Sequence, residues 1–266
     1  MTSFDEGTAV TRTGEDTFGA VLSKDWWVFA GANGGYLASV LLRALTARVD
    51  DPARMARSLT VHYLRPPAEG SAVVRTRLVR QGRSLATLTA TLLQDDAEVA
   101  LATAAFSVAR PSMEFHDAVM PAVPGPAEAA PTSWPADMQP PIMKRFEYRP
   151  VTKETAFTGE ERAEVGTWLR LREPRPLDPV LLATLADAAA PAVFPKATGP
   201  VAATTIDLTV HFRTPAADDP GDGWCLTMFR STVGADGFVE EDGEVWSESG
   251  RLIAQSRQLA LVVPFA

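Results

Sequence analysis

Asp187 is the residue in this 266-residue chain best placed to do chemistry, because it interrupts the apolar run Leu181-Leu182-Ala183-Thr184-Leu185-Ala186-Asp187-Ala188. A carboxylate there is either a solvated helix end, as the nearby Pro191 allows, or a buried acid. Burying an unpaired carboxylate costs several kcal/mol, so a buried Asp187 needs donors around it or a function. The functional carboxylate is the stronger of the two readings. Thr205 and Gln258 join it through an internal comparison of the chain with itself.

The stretch Leu59-Thr60-Val61-His62-Tyr63-Leu64-Arg65-Pro66 returns as Leu208-Thr209-Val210-His211-Phe212-Arg213-Thr214-Pro215, an offset of 149 (211 − 62). A second echo pairs Ala102 with Ala254 at an offset of 152 (254 − 102). So small a drift marks a tandem duplication with minor loop insertions. Counting across the copies, Thr205 corresponds to Ala56, Gln258 to Phe106 and Asp187 to about Ala38. Three polar residues in the second copy therefore stand where the first has apolar ones. Taken singly each has an ordinary reading, since Thr suits strands and Gln258 alternates with apolar neighbours as a surface residue would.

The elements around them read as follows. Asn33 caps a helix over 33–45 that is apolar on almost every side, and such a helix is buried. Strands over 58–64, 72–80, 85–94 and 99–108 follow, separated by short turns carrying Glu69-Gly70, Gln81-Gly82 and Asp95-Asp96, which predicts an antiparallel meander. Six prolines between Pro111 and Pro141 mark a linker. The second copy opens with a hairpin of strands over 146–156 and 164–172 turning at Thr158-Gly159. A helix then starts at Asp178-Pro179 and runs through Ala188 to Pro191, before strands over 205–212, 224–232, 237–247 and 251–263. Three segments are expected: an N-terminal unit over 1–110, the linker over 111–141 and a C-terminal unit over 142–266.

Composition and missing motifs narrow the chemistry. With 46% hydrophobic and 22% charged residues the chain builds a core, while a net charge of −8 argues against broad binding to nucleic acid or anionic lipid. The single Cys225 excludes an intrachain disulfide. The start Met-Thr-Ser-Phe-Asp-Glu-Gly lacks the pattern of a signal peptide, and a cytoplasmic protein is expected. There is no Gly-x-Ser-x-Gly elbow, no phosphate loop, no dinucleotide fingerprint and no His pair at metal spacing, so serine, nucleotide and zinc chemistry lose weight. His62, His211 and His116 read as structural, Cys225 as core. Trp26-Trp27 reads as core plus a partly exposed contact, or as a pocket wall.

The Gly34-Gly35 helix start, the Val61–Pro66 strand, the Arg80-Gln81-Gly82-Arg83-Ser84 turn, Leu185-Ala186-Asp187, Thr205-Ile206-Asp207 and the last strand through Gln258 together resemble the TesB-like acyl-CoA thioesterase II family. The resemblance covers nearly all of the chain outside the linker. It implies an α+β double hotdog, in which each unit wraps a long helix in a curved antiparallel sheet. It also implies hydrolysis of an acyl thioester, with the family's Asp, Thr and Gln falling on Asp187, Thr205 and Gln258 to hold and activate a water. The substrate would be an acyl-CoA or an acyl-carrier protein, with no cofactor or metal and a homo-oligomeric enzyme. Backbone N–H groups at Gly34 and Gly35 could face the thioester oxyanion, or the glycines could serve close packing. Arg65, Arg80 and Arg83 could meet the CoA phosphates, or be solvated turn charges.

Two features oppose the transfer. Strict alternation puts Thr205 with Asp207, Thr209 and His211, on the face opposite Ile206, Leu208 and Val210, so Thr205 reaches Asp187 only if the strand bends or bulges. Gln255 is a rival to Gln258. A hotdog hydratase or dehydratase, and an acyl-thioester-binding hotdog without catalysis, are the alternative functions.

Overall fold

The structure, a computed structural model, describes residues 2–153, 155–213 and 223–264. Thr214 and Pro215 of the repeated motif lie outside the described residues. The first half runs α1 (Ser3–Gly7), β1 (Val10–Arg12), β2 (Thr17–Leu22), β3 (Trp27–Val28), β4 (Gly31–Ala32) and α2 (Gly34–Val49). The meander β5 (Met55–Tyr63), β6 (Gly70–Gln81), β7 (Leu85–Gln94) and β8 (Ala97–Ser107) follows. The second half has β9 (Phe146–Pro150), β10 (Ala163–Leu171), α3 (Pro179–Leu185), α4 (Val193–Lys196) and β11 (Val201–Phe212). It closes with β12 (Cys225–Ser231), β13 (Gly234–Ala235), β14 (Phe238–Ser247) and β15 (Leu252–Pro264).

Helix α2 forms because Asn33 caps it, its Oδ1 accepting the Tyr36 N–H at 2.9 Å. It ends at Asp50, a short polar side chain that tolerates the left-handed φ of 48° found there. Every residue from Gly35 to Leu42 is buried, as expected of an all-round apolar helix. The meander curls over it, and the β7–β8 turn uses Asp95 and Asp96, both at positive φ, as a two-residue hairpin of this hand requires.

All the longer strands belong to one antiparallel sheet, in the order β1-β2-β6-β7-β8-β5-β11-β15-β14-β12-β10-β9. Its midline is the β5–β11 pair, where the two copies of the repeated motif meet. Thr60 lies opposite Thr209, its counterpart in the repeat, and their hydroxyls are 2.9 Å apart. The pseudo-two-fold of the duplication passes between these residues. Two helix-and-sheet units sharing one sheet make a double hotdog.

The helices pack where side chains are small. Ser39 Oγ lies 2.6 Å from the Val180 carbonyl and 2.7 Å from Thr184 Oγ1. A Cβ on Gly35 would lie 2.8 Å from the carbonyl oxygens of Ala183 and Thr184, so only glycine admits this approach.

Two elements depart from expectation. Helix α3 stops at Leu185 rather than running to Pro191, because the Asp187 N–H turns back to the Thr184 carbonyl at 3.0 Å and closes a tight final turn. The second-half hairpin is shorter than expected on its first strand: β9 ends at Pro150, which cannot donate to a ladder. Residues 108–140 form neither helix nor strand. They lie along the sheet, with the Pro124 carbonyl accepting from Trp168 Nε1 at 2.9 Å and His116 Nε2 accepting the Leu252 N–H at 2.9 Å.

Candidate functional site

Where α3 ends, Asp187 meets the start of α2. Its Oδ2 accepts from the Gly35 N–H at 2.9 Å and from Asn33 Nδ2 at 2.9 Å, and the Asp187 carbonyl accepts a second Asn33 bond at 2.7 Å. Asn33 thus caps its own helix with one end of its amide and anchors the opposite unit with the other. The site lies between the two copies, and its carboxylate comes from the second.

Thr205 and Gln258 extend it. Gln258 Nε2 reaches Asp187 Oδ1 at 3.4 Å, and Gln258 Oε1 accepts from Thr205 Oγ1 at 2.7 Å. Thr205 gets there through the bulge that alternation required. The register against β15 shifts between Thr205 and Asp207, leaving Ile206 unpaired, so Thr205 pairs with inward-facing Ala260 while Asp207 pairs with outward-facing Leu259. The rival Gln255 lies on the other face and accepts from Arg213 Nε at 2.8 Å. Gln258→Leu is expected to lower kcat by about tenfold to a hundredfold through lost positioning, and Gln255→Leu to leave it unchanged. Thiol release by both purified variants decides between them.

Burial pushes the Asp187 carboxyl up to about 6, and the hydrogen bonds from Gly35, Gln258, Gly34 and Asn33 hold it from rising further. Its two oxygens are unequal. Oδ2 is taken by the Gly35 and Asn33 donors at 2.9 Å, whereas the side-chain contact to Oδ1 among the described residues is the long one from Gln258 at 3.4 Å, which makes Oδ1 the atom better able to accept a proton.

Two neighbours were not anticipated. Tyr63, from the repeated motif, donates to the Gly34 carbonyl at 2.7 Å, and burial together with the charges of Asp187 and Asp207 keeps its phenol protonated. Glu241, 5% exposed, accepts from Gln258 Nε2 at 2.6 Å and from the Ala192 N–H at 2.5 Å. Its signal was legible in the strand: Gly243 and Val245 face the core, and counting back by two puts Glu241 on the same side.

Several expected groups fall elsewhere. The N–H groups of Gly34 and Gly35 bond the Asp187 carboxylate, so this geometry gives them to the acid rather than to a substrate oxyanion. Arg80 and Arg83 are exposed on the turn whose Gly82 carbonyl accepts from Arg54. That turn is at the Met55 end of the nine-residue β5, while Tyr63 and Gly34 are at the other, about 26 Å away at the ordinary rise of a strand. Arg65 is exposed two residues beyond Tyr63, at the site end. His62 and His211 are exposed on the outer face, opposite Asp207 and Ser58, and supply no His–acid pair to Asp187. No helix among the described residues is long and apolar enough to cross a membrane.

Comparison with known proteins agrees with this architecture. Residues 23–107 match the family model described as the acyl-CoA thioesterase N-terminal domain, and residues 126–262 match the C-terminal domain. A hotdog-fold protein of unknown function from Alicyclobacillus acidocaldarius is 31% identical, with both chains covered completely and a TM-score of 0.90. An acyl-CoA thioesterase II, TesB2, from Mycobacterium marinum shares the fold at 21% identity and a TM-score of 0.78, over 99% of each chain. A search of curated proteins finds no match.

Proposed function

Because the chain belongs to the acyl-CoA thioesterase family, we propose that it hydrolyses an acyl-CoA to the free acid and CoA by direct attack of a water that Asp187 deprotonates. The observation that carries this reading is the chain of contacts Thr205–Gln258–Asp187 ending on an oxygen, Oδ1, without a strong donor of its own. Water accepts from Gln258 Nε2 and donates to Asp187 Oδ1. As its oxygen bonds to the thioester carbon, the proton moves to Asp187 and the carbonyl becomes an oxyanion. Collapse of that intermediate breaks the carbon–sulfur bond, and the departing thiolate takes up the proton. No covalent acyl-enzyme is formed in this scheme.

An acid at about 6 suits a base working near neutrality, ionised yet more basic than an ordinary Asp. Arg65 is the one of the three candidate arginines at this end of the molecule and is the reading's choice for a CoA phosphate contact.

The test is thiol release from a panel of acyl-CoAs; absence of turnover at every chain length, with binding detected by calorimetry, would establish the non-catalytic alternative instead. The pH dependence is a second expected outcome. Since Asp187 acts as a base, kcat/KM should fall as pH drops through about 6, one decade per pH unit on the acid side. A profile flat down to pH 4.5 would remove Asp187 as the base.

A further inference from the structure

Glu241 is a buried acid that the mechanism above leaves without a task. The groups facing it can be taken element by element. From β15 come Gln258, bonded to it at 2.6 Å, and Ser256, whose hydroxyl points to the Ala186 carbonyl. From the segment after α3 come the Ala192 N–H at 2.5 Å and the Asp187 carboxylate, which acts on Glu241 through its charge. On β12 the Ser231 hydroxyl goes to the Glu240 carbonyl and Arg230 pairs with Glu164. On α4 Lys196 bonds the Glu161 carbonyl. The neighbouring acids of β14 point outward, Glu240 to Thr232 and Val233 and Asp242 to Arg257. Among the described residues, no cation contacts Glu241.

Two consequences follow. First, the amide of Gln258 can sit only one way round. Its NH2 group lies between Glu241 and Asp187 and its oxygen accepts from Thr205; a flip would set the amide oxygen against the Asp187 carboxylate and break the Thr205 bond. Of the two acids, Glu241 holds the amide by the shorter bond, leaving the long contact to Asp187 for a water to replace. Second, two carboxylates on one amide nitrogen in a buried site repel each other when both are charged.

Building on the thioesterase reading, we propose that Glu241 is a positioning residue: it anchors the amide of Gln258 and couples electrostatically to Asp187, so that the site titrates as a two-carboxylate unit and not as Asp187 alone. Burial pushes the Glu241 carboxyl up to about 8, the Ala192 bond opposing the rise and the charge of Asp187 adding to it.

The experiment compares wild type with Glu241→Gln by two readouts. In the pH–rate profile, wild type should show a second inflection at about 8, where Glu241 ionises beside an already charged Asp187, and Glu241→Gln should lose that inflection while keeping the acid limb at about 6; kcat should fall by about tenfold with KM little changed. In thermal melts, a carboxyl held above its unfolded value costs stability as pH rises from 4.5 through about 8, so wild-type Tm should decline over that window and the variant's decline should be shallower. The melts need no substrate, so they test the coupling even if wild type turns over no acyl-CoA. Should Glu241→Gln fail to fold, Asp187→Asn serves: without the Asp187 charge, the decline in Tm assigned to Glu241 should shift to lower pH. Superimposable pH–rate curves, equal pH slopes of Tm, or an unshifted decline in Asp187→Asn would each overturn the proposal.

Discussion

Asp187→Asn is expected to lower kcat by about 10²–10⁴-fold with KM little changed. Asn keeps the shape and one oxygen to accept from Gly35 and Asn33, so the junction between the units survives. What disappears is the proton acceptor, an interaction needed only as the water is deprotonated. The same substitution should not destabilise the protein at neutral pH. Asp187 is held at about 6 against an ordinary 3.8, and for an acid raised in the fold the sign runs one way: stability is full below 3.8 and is lost as pH rises through 6. Above that window the wild-type carboxylate is a burden that Asn does not carry. The expected pair of results is therefore a crippled enzyme with a Tm at or above wild type, which marks a functional acid and not a structural one. Activity within about threefold of wild type would end the case for Asp187 as the base.

The site was legible from sequence to the extent that it depends on which residues break a repeat. Asp187, Thr205 and Gln258 stand out because the duplicated scaffold supplies a reference copy at Ala38, Ala56 and Phe106. Direction was harder to read. Alternation placed Thr205 on the wrong face, and the unpaired Ile206 that corrects it is a backbone event with no residue signature of its own. The end of α3 failed for a related reason: Ala186-Asp187-Ala188 would extend a helix, but Asp187 finds its donors on another element 152 residues away in sequence. Such a partnership is invisible to any local pattern. Glu241 could have been found, since its strand was expected and its parity countable, but an acid flanked by Glu240 and Asp242 looks like a solvated run. The glycines that open α2 read equally as donors to a substrate and as small residues for close packing; no sequence pattern says that a carboxylate from the other unit already takes their N–H groups.

Gly35→Ala tests that junction from the other side and should lower stability. The new Cβ would lie 2.8 Å from two backbone carbonyl oxygens, those of Ala183 and Thr184, and 2.9 Å from Asp187 Cβ. None of these is the tip of a movable side chain, so the helices themselves must separate. Against this, Ala in place of Gly inside a helix gains about 1 kcal/mol of propensity. Overpacking a tight contact costs about 1–3 kcal/mol, and contact with rigid backbone on one side and the buried Asp187 on the other puts this site at the upper end, so the clash should win. A lower Tm is expected together with lower activity, because the Gly35 N–H moves away from Asp187 as the helices part. Gly34→Ala supplies the contrast. There the added Cβ would meet Asp187 Oδ2 and the Tyr63 hydroxyl, each at 3.0 Å and each able to shift. Its expected signature is a kcat loss with little change in Tm. If Gly35→Ala melted at or above the wild-type temperature, the close approach of α2 to α3 would not be what holds Asp187 in place.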